Sequence, residues 1–148
     1  MSDVLCHHRR RDPLLRRRSL DIRRWALARG RGIDPDALTM VLRVIDDDVE
    51  HGHLPADVWT ADRVLEFIWA RAWSWCEVEG ITLPPSAPAA LLAVLDHLHE
   101  SGELAAASDP IQILRAQLGA NAQLEATPDA HAPLATVAVL PRRVPVPT

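Results

Sequence analysis

A chain of 148 residues with 48% hydrophobic content is long enough to fold as one domain around a real core. It contains no Tyr, which excludes tyrosine chemistry, and no Lys, so all sixteen basic residues are the permanently charged Arg. Residues 1–33 hold ten Arg against Asp3, Asp12 and Asp21, a balance of +7, and the remainder sets six Arg against seventeen carboxylates, a balance of −11; a basic arm on an acidic body points to an anionic partner or to self-docking.

Met1 to Arg11 runs into charge rather than into the apolar stretch of a signal peptide. Nowhere does an apolar run approach the roughly 20 residues of a membrane span. The expectation is a cytoplasmic protein that meets no membrane, with residues 1–12 as a basic mobile arm. Asp12-Pro13 reads as an N-cap and first-turn proline, opening a helix that runs to Arg29 before Gly30 and Gly32 stop it. Arg16 and Arg23 are seven residues apart, as are Arg17 and Arg24. Seven residues are nearly two helical turns, so the four form one stripe, with Leu15, Ile22 and Ala26 on an apolar strip nearby. The stripe is either a solvated face or an anion-binding surface.

Asp34-Pro35 repeats the start signal, and Leu38, Val41, Leu42, Ile45 and Val49 follow the spacing of one helical face. This helix ends in Asp46, Asp47, Asp48 and Glu50, where the macrodipole is already negative, so a cation should lie close by; the Arg arm is the candidate. Beyond the turn from His51 to Pro55, Thr60 caps the longest helix, which reaches Glu79 with Gly80 as its C′ residue. Leu65, Ile68, Trp69, Ala72 and Cys76 mark its buried stripe. Phe67, Trp73 and Trp75 fall outside that stripe and form the candidate partner surface. Exposure of Trp73 separates an interface from a core packed on all sides.

Ser86 caps the next helix, which carries Leu91, Leu92, Leu95 and Leu98 and stops at Gly102, and Asp109-Pro110 opens a fifth that closes at Gly119. Residues 120–148 hold five of the twelve prolines and show no helical periodicity; only Thr136 to Leu140 has a strand-like run. They read as a flexible, mostly disordered tail. The fold class is all-α: a compact bundle of four or five helices over residues 13–119.

Little in the chain carries chemistry. Asp46, Asp47, Asp48, Glu50, His51 and His53 offer ligands that hard cations take, but a calcium-loop register from Asp46 puts His51 where Gly is needed and Asp57 where the closing Glu belongs. His97 and His99 are two apart and do not share a helix face. Cys6-His7-His8 is a donor run within the arm. No G-x-S-x-G, Gly-rich phosphate loop or C-x-x-C occurs, and Cys6 and Cys76 are expected as free thiols. These observations lead to the expectation of no metal, no cofactor and no catalytic residues.

From Trp59 the chain reads Trp59-Thr60, Val64-Leu65, Ile68-Trp69, Trp73, Trp75-Cys76, Pro84-Pro85, Leu95, Leu98, Gly102 and Ser108-Asp109-Pro110, then Leu114-Arg115. This pattern resembles uncharacterised small helical proteins of actinobacterial type. The resemblance covers Trp59 to Leu118, implies an intracellular all-helical protein, and transfers no functional residue. In rhythm, Trp75-Cys76, Gly80, the Leu-rich helix ending Ser101-Gly102 and the helix at Ile111 to Leu118 are also similar to the core-binding domain of tyrosine recombinases. The chain departs from that pattern in having no tyrosine, and residues 64–119 set Arg71 and Arg115 against seven carboxylates, a poor surface for phosphates.

The leading functional expectation is a non-enzymatic interaction or regulatory module that binds a protein partner, or a second copy of itself, through the Trp-rich helix. The alternative is a nucleic-acid-binding accessory protein, distantly like the recombinase domain, in which Arg16, Arg17, Arg23 and Arg24 contact phosphates.

Overall fold

A computed structural model describes the backbone of residues 2–126 and the side chains of residues 13–119. Every regular element among them is helical: α1 (Ser2–Leu27), α2 (Pro35–His51), α3 (Ala61–Glu66), a π turn (Phe67–Arg71), α4 (Ala72–Glu79), α5 (Ala87–Glu100) and α6 (Ile111–Ala126). Because α3, the π turn and α4 are contiguous, five helices build the domain, and none is long and apolar enough to cross a membrane. Two boundaries differ from the sequence reading. The backbone of α1 is helical from Ser2, so Pro13 lies inside it rather than at its start. At the other end α6 passes through Gly119 and reaches Ala126, since one glycine costs a helix only about 1 kcal/mol. The side chains of residues 1–12 and all of residues 127–148, including the strand-like run, lie outside the described residues.

The centre of the domain is α2 against α5. Leu38, Val41, Leu42 and Ile45 of α2 and Leu91, Val94 and Leu95 of α5 are all buried, and α1 adds Leu15, Ile22 and Ala26 across both. Asp34 caps α2 as its sequence implies, accepting from the Asp36 backbone N–H at 3.0 Å, with Pro35 in the first turn. Ser86 does not cap α5. Its hydroxyl instead donates to Asp34 Oδ2 at 2.9 Å, tying the starts of α2 and α5 together. A second tie joins the two long connections: Trp59 N donates to Ser108 Oγ at 2.9 Å, and Asp109 N donates to the Trp59 carbonyl at 2.9 Å. The Asp109 carboxylate then accepts from Ala61 N at 2.7 Å, so it helps Thr60 cap α3 although it lies 48 residues away.

The helix that runs through α3, the π turn and α4 owes its packing to the π turn. Val64, Ile68, Ala72 and Cys76 are all buried and stand four apart. In a regular α-helix such a row drifts by about 40° per step, which would swing its end well away from the core. Here Ala72 N donates to the Phe67 carbonyl five residues back, and the wider turn returns the row to the buried side. Phe67 and Ile68 both stay inside while Trp69 rotates outward to 47% exposure. Phe67 is 1% exposed and meets Trp59 edge-on at 5.5 Å, so it is core and not partner surface as its sequence position implied. Gly80 ends the helix at φ +71, the left-handed conformation its place after Glu79 demands. Burial also raises the pKa of the Cys76 thiol, keeping it a small neutral core group.

Candidate functional site

The acidic end of α2 finds its cation within the domain. Asp48, 2% exposed, accepts from Arg71 Nε at 2.6 Å, and Asp47 accepts from Arg71 Nη2 at 2.9 Å while its other oxygen meets His51 Nδ1 at 3.0 Å. The hydrogen bond to Asp48 pushes the Arg71 pKa still higher. For Asp47 and Asp48, then, the partner is an arginine of the π turn and not the arm that the sequence offered. Beside them the Arg63 guanidinium lies over the Trp59 ring at 3.9 Å, with Nη1 donating to the Pro55 and Val58 carbonyls. Its burial lowers its pKa against the opposing fields of Asp48 and Asp57.

Asp46 and Glu50 face elsewhere. With Val49 they line a groove whose other wall is Leu14, Leu15 and Arg18 of α1. Arg18, one turn along from Leu14 and Leu15, is thus the α1 cation among the described residues that lines this groove. Arg16, Arg17 and Arg24 are exposed and Arg23 half-buried, and no ion pair within the described residues engages any of the four. Of the predicted docking acids, the structure thus places Asp46 and Glu50 in a groove beside α1 that Arg18 also lines.

The far end of α1 is fastened by a network that the sequence reading did not single out. Asp96 of α5 is 4% exposed and accepts from Arg31 Nη1 at 3.0 Å and from Arg115 Nε of α6 at 2.8 Å. Arg29 pairs with Glu100 and also covers the Trp25 ring at 4.6 Å, and Trp25 meets His97 edge-on at 5.4 Å. One buried carboxylate therefore holds the α1–α2 connection, α5 and α6 together. The hint in the sequence is a lone acid at the margin of the apolar face of α5.

The outer face of the π-bearing helix carries exposed aromatic surface. Trp73 is 53% exposed, Trp69 47%, and Val78 84%, while Trp75 is half-buried and packs against the core. The three residues expected as one partner surface are therefore divided: Phe67 inside, Trp75 at the margin, Trp73 outside. Asp62 and Glu66 before Trp69 and Trp73, and Glu77 after them on the same helix, are exposed as well, so acids flank the aromatic pair along the chain. Among the described residues no group of three His, Cys, Asp or Glu side chains is placed to hold a metal ion. Comparison with protein-family models, curated proteins and solved structures finds no match to this chain.

Proposed function

We propose that this chain is a non-enzymatic interaction module of the cytoplasm that binds a protein through the outer face of its π-bearing helix. The observation that carries the reading is the exposure of Trp73, with Trp69 four residues before it: these two indoles are the largest of the apolar side chains that the fold leaves in water. Indole rings left half in water add little to folding, whereas covering them with a partner recovers about 25 cal/mol per Å² of apolar area. Trp is also the residue type most enriched at binding hot spots. The Arg16, Arg17, Arg23 and Arg24 stripe, in no ion pair among the described residues, favours a second reading, contact with nucleic-acid phosphates through α1, although the acidic body opposes a polyanion elsewhere. A photo-crosslinking residue at position 73 should give a discrete protein adduct in the native cell. The same residue at position 113, also exposed but on α6, should give none. No adduct at 73, or equal capture at both positions, contradicts the reading.

A further inference from the structure

We propose that the occupant of the Trp69–Trp73 face is a second copy of this chain, which lays the outer face of its α1 across the aromatic ridge. The inference rests on the reading that this face binds protein, and it names the partner.

The argument begins with α1. At about 100° per residue, Leu20 and Leu27 fall on one line, Arg16 and Arg23 along one edge of it, and Arg17 and Arg24 along the other. Leu20 is 41% and Leu27 68% exposed, on the side opposite the buried Leu15, Ile22 and Ala26. The face is a short apolar ridge between two basic margins. On the π-bearing helix the charge is opposite: Trp69 and Trp73 lie in the middle of a helix whose exposed side chains include Asp62 and Glu66 before them and Glu77 after them. Arginine on carboxylate gives the paired hydrogen bonds that fix register, and indole over leucine supplies the apolar contact.

Within one molecule these two faces do not cover each other, because both are open to solvent. Between molecules they can. The faces differ, so the contact is heterologous: each copy offers α1 to one neighbour and its Trp ridge to another, and the assembly closes as a ring or continues as a chain. A single helix-on-helix contact sits at or below the about 1,200 Å² that marks the lower edge of stable interfaces, so the association is weak and reversible. Its charged margins make it salt-dependent.

Sedimentation of the full chain tests this. At low salt the weight-average mass should at least double from the 16.4 kDa monomer as concentration rises from about 5 to about 200 µM, and should return to the monomer near 0.5 M salt. Two variants with unchanged circular dichroism isolate the faces: one carries Arg16→Glu, Arg17→Glu, Arg23→Glu and Arg24→Glu, the other Glu66→Arg, Trp73→Ala and Glu77→Arg. Each alone should remain monomeric, and the two mixed should form a 1:1 dimer, because one intact copy of each face is then present. Association of the four-arginine variant by itself would overturn the proposal in favour of a symmetric Trp-to-Trp contact. Monomeric wild-type chain at every concentration would overturn it too. If Arg142→Glu with Arg143→Glu then raises the quenching of Trp73 fluorescence, the occupant is instead the chain's own C-terminal segment. If the four-arginine variant loses duplex binding, α1 serves nucleic acid. A monomer whose position 73 still crosslinks to another protein in cells refutes self-association and leaves the interaction reading intact; a monomer with no adduct refutes both.

Discussion

Replacing Phe67 with alanine should lower the free energy of unfolding by about 3–5 kcal/mol, the usual loss for an aromatic side chain removed from a core. Trp73→Ala, six residues on, should lower it by less than about 1 kcal/mol. The contrast follows from burial: Phe67 is 1% exposed and fills the space beside Trp59, whereas more than half of Trp73 lies in solvent. Urea titrations of the two variants against the parent chain, read by circular dichroism at 222 nm, measure both. A cost for Trp73→Ala equal to that for Phe67→Ala would mean that the π turn does not set the register of this helix. The face assigned to a partner would then be core.

Asp96→Ala should cost about 2–3 kcal/mol. Removing one member of a fully buried ion pair commonly costs 3–5 kcal/mol, but Arg31 and Arg115 keep 35% and 45% of their side-chain surface in water and recover part of their hydration. The loss should survive high salt, because the carboxylate itself is almost fully enclosed. Double-mutant cycles with Arg31→Ala and Arg115→Ala should each return about 1 kcal/mol of coupling, since each guanidinium holds its own oxygen of Asp96. A cost below about 0.5 kcal/mol would show that the network decorates the surface and does not hold α1, α5 and α6 together.

How much of this was legible in the sequence depends on how local its cause is. Asp34-Pro35, Thr60 and Gly80 mark helix ends through contacts within a few residues, and the structure uses all three as read. The buried stripe of α2 follows from spacing as far as Ile45, while Val49 in the same register is 40% exposed, because the helix end has passed beyond the core. The π turn does not, because its extra residue is justified only by packing of the finished core; that is why Phe67 and Trp69 exchanged places. Ser86 and Asp109 show the same limit. Both look like caps for the helices that follow them, and both bond across the fold, Ser86 to Asp34 and Asp109 to Ala61. The cation demanded by Asp47 and Asp48 was foreseen from the helix macrodipole, but its identity was not, since Arg71 reaches them across 24 and 23 residues of chain. Of the candidate surface, the exposure of Trp73 was posed by the sequence as a question that only the three-dimensional register answers.

Oxidative footprinting of Trp73 tests the interaction reading most directly, with the indole's hydroxyl-radical reaction rate measured in the native cell and in the purified chain at high dilution and high salt. Trp59, wholly buried in the fold, serves as the internal reference. Covered by a protein partner, Trp73 should react several-fold more slowly in the cell than in the dilute chain, while Trp59 stays unreactive in both. Equal rates for Trp73 under the two conditions would contradict the account, because the aromatic ridge would then be open to water where the protein works.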